Sequence, residues 1–446
     1  MKIKIDALLE AYRSGETTPV TVVEAAYDRI EAGETNAWIN VRNKQELLAE
    51  ANSLADREIA NAPLYGIPFA VKDNIDYAGL PTTAGCPEYA YDPDTHATVV
   101  DKLIEAGALL IGKTNMDQFA TGLVGTRSPY GACRNVHNDD YISGGSSSGS
   151  AVAVARGDVA FALGTDTAGS GRVPPALNGL VGLKPTRGIL STNGVVPACA
   201  SLDCVAVFAP SVADCLRVTR IAAGFDTDDP YSRQHEDSTL ESISVDSPTI
   251  GVPAPVDREF FGDEEAKHIF SRSVKRFSSV GNVVTVDFEP FAAAAELLYG
   301  GPWVAERFAA VGDFMDANPG VSHSVVEEII QEGETYSARD TFEAFYELEA
   351  LRTKADHVMS TVDVLVVPTV PTVYSIDEVR EQPVELNSNL GYYNNFLNLL
   401  DLSAVTVPVG SFETGPTFGV TVIGEAFADQ TVAAIARNLH AATVSE

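Results

Sequence analysis

Residues 143–150 read Ser-Gly-Gly-Ser-Ser-Ser-Gly-Ser and, after an apolar run, residues 164–172 read Gly-Thr-Asp-Thr-Ala-Gly-Ser-Gly-Arg. Each stretch places a serine, Ser146 or Ser170, among small residues. A serine hydroxyl is a poor nucleophile until a neighbouring group accepts its proton. Histidine is the usual acceptor, but neither stretch contains one, and the nearest histidine in the sequence is His137. A different base must therefore serve these serines.

Lys72 is the candidate base, because it follows the apolar segment at residues 67–71. A lysine with an ordinary pKa of about 10.4 is charged at neutral pH and cannot accept a proton. Burial among apolar neighbours disfavours the charge and would lower the pKa of Lys72. The alternative is a surface lysine that pairs with Asp73 or Asp76, and spacing alone leaves both interpretations open.

The small residues at 164–171 would let backbone N–H groups converge on one point and stabilise an oxyanion. This predicts an oxyanion hole around the Ser170 hydroxyl, built from the backbone of Thr167, Ala168, Gly169 and Ser170. Ser146 would lie between Ser170 and Lys72 and pass the proton from one to the other.

A second interpretation uses residues 145–149, which match the Gly-x-Ser-x-Gly nucleophile elbow of α/β hydrolases with Ser147 as nucleophile. It requires an acid and a histidine downstream. The histidines available there are His235, His268, His323, His357 and His440. The match is weak in a stretch so rich in serine and glycine, and it leaves residues 164–172 unexplained. An inert flexible loop is a third interpretation.

The charge of the chain limits its partners. The 446 residues contain 62 Asp and Glu against 30 Lys and Arg, a net charge of −32 at pH 7. Such a surface repels nucleic acid and anionic membranes, so we expect neither as a partner. An anionic substrate would have to be attracted by a local cation. The acidic runs at Asp139 and Asp140 and at Asp226, Asp228 and Asp229 are predicted to be solvated charges rather than metal ligands.

Cysteine usage and hydropathy predict a cytoplasmic protein. The five cysteines form an odd set without a Cys-x-x-Cys pair, which favours reduced thiols. The first residues lack the apolar core of a signal peptide, and no apolar run approaches the roughly 18–20 residues that span a bilayer. Isolated histidines indicate no metal site, and no glycine loop precedes a Lys-Ser or Lys-Thr pair, so no cofactor is expected.

Hydrophobic periodicity predicts alternating helices and strands. Thr18 can cap a helix that begins at Pro19. The apolar run at residues 67–71 predicts a strand that ends at Lys72. Residues 98–106 predict a helix and residues 108–112 the next strand. This alternation is typical of an α/β sheet covered by helices on both faces.

Residues 224–248 are polar and acidic, and we interpret them as a surface excursion, with a domain linker as the alternative. Strand patterns resume at residues 364–367, 404–407 and 418–423. Strands on both sides of the excursion predict one continuous sheet and a single domain over residues 1–446.

The pattern from Gly144 through residues 164–174 to residues 179–186 resembles the amidase signature family, and the resemblance extends over essentially the whole chain. It implies a mixed β-sheet flanked by helices and a Ser–cis-Ser–Lys triad that cleaves amides. The matching positions are Ser170 as nucleophile, Ser146 as the cis-peptide serine and Lys72 as the base.

Within that family, four further stretches resemble the allophanate hydrolases, at residues 119–131, 188–199, 201–204 and 298–307. The resemblance implies that Tyr299 and Arg307 hold a small anionic amide, because a guanidinium binds a carboxylate through two parallel contacts. Residues 300–302 would end one element and begin a helix, and so bring both side chains to one pocket. The alternative for Arg307 is a surface ion pair.

Allophanate hydrolases commonly carry a second, C-terminal domain, which is associated with decarboxylating the first product, whereas this sequence ends at Glu446. We therefore expect a truncated chain, a natural protein without that domain, or a separate polypeptide that supplies it. A homodimer is the other partner expectation. The rival functions are an amidase for another small amide, such as malonamate or biuret, and an amidase-fold subunit of an amidotransferase.

Overall fold

The computed structural model describes residues 2–444, and its core is one 11-stranded sheet. The strands are β1 (Trp38–Val41), β2 (Pro68–Lys72), β3 (Leu109–Thr114), β4 (Phe161–Asp166), β5 (Val181–Lys184), β6 (Cys204–Ala209), β7 (Thr249–Pro253), β8 (Asn282–Val286), β9 (Val364–Pro368), β10 (Ser403–Ser411) and β11 (Thr417–Gly424). Their order across the sheet is β1-β3-β2-β4-β6-β5-β10-β11-β9-β7-β8.

The sheet is mixed, as predicted. Strands β2, β3 and β4 run parallel, as do β7, β8 and β9, whereas the strands between these two groups pair antiparallel. The strands before and after residues 224–248 belong to the same sheet, so the predicted continuity of the sheet is confirmed. The single domain over residues 1–446 stays a prediction. Met1, Ser445 and Glu446 lie outside the described residues.

Sixteen α-helices flank the sheet within residues 2–444. They are α1 (Ile5–Ser14), α2 (Pro19–Glu31), α3 (Lys44–Ser53), α4 (Thr98–Glu105), α5 (Ser148–Arg156), α6 (Val173–Leu177), α7 (Val212–Ala222), α8 (Glu264–Phe277), α9 (Glu289–Gly300), α10 (Trp303–Ala317), α11 (Ser324–Gln331), α12 (Ala338–Met359), α13 (Ile376–Glu381), α14 (Glu385–Gly391), α15 (Phe396–Leu399) and α16 (Asp429–Val444).

Helices cover both faces of the sheet. Strand β11 shows this directly, because Gly419 lies against Ala176 of α6 and Gly424 lies against Val432 of α16. Residues an odd number of positions apart in a strand point to opposite faces. Helix α7 packs on β5, β6 and α16, so α7 and α16 share the face opposite α6.

The predicted helix cap at Thr18 and the predicted end of a strand at Lys72 are both observed. The Thr21 N–H donates to the Thr18 Oγ1 over 3.2 Å, and Pro19 is the first residue of α2. Strand β2 ends at Lys72. No helix in the described part of the chain is long and apolar enough to cross a membrane.

One expectation about the acidic excursion is wrong. Asp226 accepts hydrogen bonds from the Ser191 and Thr98 hydroxyls at 2.6 and 2.7 Å. Asp229 is buried and accepts the Thr192 N–H at 2.7 Å. These two carboxylates are therefore not simply solvated, because they tie the excursion to the loop at residues 191–193.

Candidate active site

Three predicted side chains form one hydrogen-bonded chain in the interior. The Lys72 Nζ donates to the Ser146 Oγ over 2.7 Å, and the Ser146 Oγ donates to the Ser170 Oγ over 2.9 Å. All three residues are buried. The peptide bond between Gly145 and Ser146 is cis, at the position that the resemblance implied.

The sheet topology explains this meeting. β2 and β4 are neighbouring parallel strands, so their carboxyl ends lie at the same edge of the sheet. Lys72 ends β2, and the loop that contains Ser170 follows β4. Ser146 lies just before α5, which packs on both strands. The sequence thus brings three distant segments together at one sheet edge.

The surroundings of Lys72 favour a neutral amine. Burial lowers its pKa from 10.5 to about 7. Nearby carboxylates oppose this shift, in the order Asp203, Asp117 and Asp166. A second acceptor, the Thr165 Oγ1, lies 2.7 Å from the Nζ. The surface-lysine alternative is wrong, because Lys72 is fully buried and Asp73 lies 3.5 Å from Lys113 instead.

The loop between β4 and α6 is fixed by a buried ion pair. The Arg172 Nε lies 2.9 Å from the Asp166 Oδ2. Burial alone would raise the pKa of Asp166, but Arg172 outweighs it and lowers that pKa. Asp166 also accepts the N–H groups of Gly169 at 3.1 Å and Gly171 at 2.9 Å. These contacts hold the backbone around Ser170 in one conformation.

This arrangement refines the expected oxyanion hole. The Gly169 N–H already donates to Asp166, so it is not free to face a reacting carbonyl. Within residues 2–444, no hydrogen bond engages the other three predicted N–H groups, those of Thr167, Ala168 and Ser170. The oxyanion hole stays a prediction that now rests on these three groups.

Asp203 is a residue of the site that sequence reasoning did not identify, although residues 201–204 form one of the distinctive stretches. It is buried, and it accepts the Thr167 hydroxyl and, at 2.7 Å, the Ala198 N–H. Burial raises the pKa of Asp203 to about 6 against the lowering effect of these hydrogen bonds. Its carboxylate raises the pKa of Lys72 more than any other group does. Spacing alone gives no signal for this role, which depends on the antiparallel pairing of β4 with β6.

Tyr299 and Arg307 meet across the break between α9 and α10. The Arg307 Nη2 donates to the Tyr299 Oη over 3.1 Å, and its Cζ lies 5.1 Å from the Tyr299 ring centre. The Nη1 donates to the Thr121 Oγ1 over 3.0 Å. The surface-pair alternative for Arg307 is wrong, because Arg307 is only 1% exposed and Glu306 accepts from Ser201 instead.

The guanidinium of Arg307 is charged and incompletely paired. Burial alone would lower its pKa, but Tyr299 and further surrounding groups raise it. Its Nε is buried and has no hydrogen-bond partner among the described residues. The charge is close enough to Lys72 to lower the pKa of that lysine. A fixed cation with a spare donor thus lies near the serine–lysine chain.

The neighbouring serines have structural contacts instead. The Ser147 Oγ donates to the Thr165 carbonyl oxygen over 3.1 Å, and the Ser148 Oγ donates to the Asn115 carbonyl oxygen over 3.3 Å. Ser147 has no histidine partner in the described part of the chain, so the elbow interpretation finds no support there. Across residues 2–444 there is also no group of three or more His, Cys, Asp or Glu that could hold a metal ion.

Comparison with known sequences identifies the family. The amidase family model matches residues 21–433. Urea amidolyase of Saccharomyces cerevisiae is 47% identical to this chain over 88% of the chain's length. The match covers only 22% of the length of that relative. A glutamyl-tRNA(Gln) amidotransferase subunit of Methanosarcina acetivorans is 33% identical over 94% of this chain and 92% of the relative.

Comparison with solved structures agrees. Allophanate hydrolase of Kluyveromyces lactis matches with a TM-score of 0.94 and 42% identity, over 100% of this chain and 73% of that one. The K. lactis urea amidolyase matches equally well over 27% of its length. This chain therefore spans about a quarter of the urea amidolyases that it matches. Because the family model covers most of the chain, this chain belongs to the amidase family, and within that family it is similar to allophanate hydrolase.

Proposed function

We propose that this chain hydrolyses the terminal amide of allophanate to ammonia and N-carboxycarbamate, as a step of urea catabolism. The observation that carries the proposal is the hydrogen-bonded chain Lys72–Ser146–Ser170 beside the buried charge of Arg307. The first feature supplies a nucleophile with a base, and the second supplies a cation for a carboxylated amide. The similarity to urea amidolyases and allophanate hydrolase supports the same substrate.

In the proposed reaction, the Ser170 Oγ attacks the amide carbonyl carbon. Its proton passes to the Ser146 Oγ, while the Ser146 proton passes to the neutral Nζ of Lys72. Hydroxyl hydrogens rotate freely, so the same two contacts serve this direction of transfer. The N–H groups of Thr167, Ala168 and Ser170 would stabilise the oxyanion. The proton then returns through Ser146 to the leaving nitrogen, ammonia departs, and water hydrolyses the acyl-enzyme.

Arg307 and Tyr299 would select the substrate. Allophanate carries one carboxylate, and a buried guanidinium binds such a group strongly through charge-assisted hydrogen bonds. The Nε of Arg307 is a buried donor without a partner among the described residues, which supports its use in binding. A neutral amide of the same size would leave this charge unpaired, and that loss would discriminate against it.

A second candidate function is the ammonia-producing component of an amidotransferase. It is favoured by one observation, the match over 92% of the length of a glutamyl-tRNA(Gln) amidotransferase subunit. Such a component would take ammonia from glutamine for a partner protein.

For allophanate breakdown, we propose a decarboxylating partner, either on another domain or on a separate polypeptide. All five cysteines are buried free thiols, which supports the prediction of a reducing cytoplasmic compartment.

The experiment that tests the catalyst is a panel of ammonia-release assays on the purified chain, with allophanate, malonamate, biuret and glutamine. We expect the highest kcat/KM for allophanate. Ser170→Ala should lower kcat by about 10⁶-fold, as removal of a nucleophile does elsewhere. Ser147→Ala is the matched control and should keep most of the activity. The opposite result for the two serines would establish the elbow interpretation, and preference for glutamine would establish the second candidate.

Specificity is tested in the same panel with Arg307→Ala. We expect kcat/KM for allophanate to fall by about 100-fold or more, since a buried charged contact is lost. Turnover of the uncharged biuret should fall much less. Arg307→Lys should not restore the preference, because an ammonium lacks the planar pair of donors. An unchanged ratio of the two substrates in Arg307→Ala would mean that the carboxylate is bound elsewhere.

A further inference from the structure

A surface cavity of about 120 Å³ lies between α7 and α16 and is bordered by residues 242–243. Its charged lining residues are three arginines, Arg217, Arg220 and Arg437. No aspartate or glutamate among the described residues lines it. In a chain with 62 acidic residues and 30 basic ones, a cavity with this lining is a local reversal of the surface charge.

Two of the arginines are available to a ligand in different ways. Arg437 is held in place, because its Nη1 donates to the Ser242 Oγ and its Nη2 to the Ile243 carbonyl oxygen, both over 2.9 Å. Arg220 is exposed and forms no hydrogen bond or ion pair in the part of the chain that the structure describes. One guanidinium is thus preorganised and the other is free to close on an anion.

The surrounding charges leave the cavity positive. Arg217 pairs with Asp6, whose Oδ1 lies 2.5 Å from the Arg217 Nη2, so the charge of Arg217 is largely compensated. Arg220 and Arg437 have no carboxylate partner among the described residues, and they supply the positive charge. Asp214 lies on α7 next to this pair, and it accepts the Ser211 hydroxyl over 2.8 Å. Arg220 also borders a neighbouring cavity lined by His235 and Glu241. Glu241 is therefore the carboxylate of this chain that would compete with a bound anion for Arg220, although no ion pair joins the two residues in the described structure.

The floor of the cavity sets the kind of anion. It consists of Val212, Leu216, Ile243, Ala433 and Ala434. This volume is large enough for several water molecules or for a short carbon chain with one charged end. Guanidinium groups bind carboxylate or phosphate through paired donors.

The cavity is separate from the candidate active site. Helices α7 and α16 lie on the face of the sheet opposite α6, whose preceding loop contains Ser170. We propose that the cavity between α7 and α16 is a second binding site, which takes a small organic anion with an apolar tail. The proposal does not depend on the substrate of the serine–lysine site.

The test uses butyrate, inorganic phosphate and n-butylamine as probes of the full chain at constant ionic strength. We expect butyrate to bind saturably by calorimetry and to raise the melting temperature, because a ligand that binds only the folded state stabilises it. Phosphate should bind more weakly because it lacks the tail, and the cation n-butylamine should not bind. Absence of saturable butyrate binding would overturn the proposal.

Variants locate the site. Arg220→Gln should weaken butyrate binding by about ten-fold, the effect of one lost charge-assisted contact. Arg272→Gln, an exposed arginine on α8, removes the same charge elsewhere and should leave the affinity unchanged. Arg307→Ala should also leave it unchanged. If Arg220→Gln and Arg272→Gln weaken butyrate binding equally, the effect comes from net charge alone. If Arg307→Ala abolishes butyrate binding, the anion binds in the candidate active site. Either result would overturn the proposal.

Discussion

Lys72 can act as a base only while its amine is neutral. Burial disfavours the ammonium and lowers the pKa from 10.5 to about 7, so a large neutral fraction exists near neutral pH. The amine contacts two hydroxyls, those of Ser146 and Thr165, and neither neutralises a positive charge. The proton-accepting ability of this lysine therefore follows from its position at the buried end of β2.

We expect kcat/KM for allophanate to fall about ten-fold per pH unit below an apparent pKa near 7, because protonation of Lys72 removes the base. Above this pKa the acid limb should reach a plateau. The measurement is a pH–rate profile between about pH 5 and 9, with circular dichroism to show that the chain stays folded. A flat acid side in folded protein would contradict the role of Lys72.

Asp203 provides the control, because burial raises its own pKa to about 6 and it could produce a similar limb. In Asp203→Asn the carboxylate that most raises the pKa of Lys72 is absent. The limb should then persist and move to lower pH. Disappearance of the limb in this variant would assign the titration to Asp203 instead.

The sequence was sufficient to predict which serines and which lysine would meet, but not how they are held. Ser146, Ser170 and Lys72 carry a recognisable pattern of small and apolar neighbours. Asp203 and Thr165 carry none, because their roles arise only when β2, β4 and β6 pair. The engagement of the Gly169 N–H by Asp166 was likewise outside the reach of spacing arguments.

At the scale of elements, the loop between β4 and α6 combines close packing with unusual backbone geometry. Gly169 has a φ of 129°, a conformation that side-chain-bearing residues rarely adopt. A Cβ there would lie 2.9 Å from the Asn394 Cβ. Asn394 cannot move aside easily, because its amide accepts from Arg172 and donates to the carbonyl oxygens of Thr369 and Leu390.

Gly169→Ala should therefore displace the loop that carries Ser170. We expect kcat to fall by about 100-fold, as a displacement of about 1 Å can do, and stability to fall by about 1–3 kcal/mol from backbone strain. Urea unfolding and ammonia release measure the two effects. Gly15→Ala is the matched control, because Gly15 has a φ of 72° with open space around it. It should cost about 1 kcal/mol with unchanged kcat, and full activity in Gly169→Ala would contradict the argument.

Elements with strong periodicity or end signals were predictable, whereas weak ones were not. The cap at Thr18 and the apolar runs of β2, β9 and β11 all correspond to observed elements. Strand β1 has only four residues, Trp-Ile-Asn-Val, which is too short a run to show a periodicity. It pairs with β3 at the edge of the sheet, and that tertiary contact defines it as a strand.

At the scale of the molecule, one continuous sheet is combined with a large net negative charge of the chain. The sheet joins the strands around the serine–lysine site to those beyond residues 224–248, and we propose one cooperative domain on that basis. The ion pairs Arg172–Asp166 and Lys113–Asp73 are buried, so dissolved salt screens them little. Most of the remaining carboxylates lie at the surface and repel one another.

The net charge of −32 should make stability depend on salt. Repulsion among like charges destabilises a compact state, and its range falls from about 30 Å in 0.01 M salt to about 3 Å in 1 M salt. We therefore expect the melting temperature to rise by several degrees as KCl increases over this range, measured by calorimetry at pH 7. Sucrose at matched osmolality is the control, because it is excluded from the protein surface but does not screen charges. At low concentration it should not reproduce the rise in melting temperature. A melting temperature that stays constant or falls would show that local ion pairing, not overall repulsion, dominates the surface.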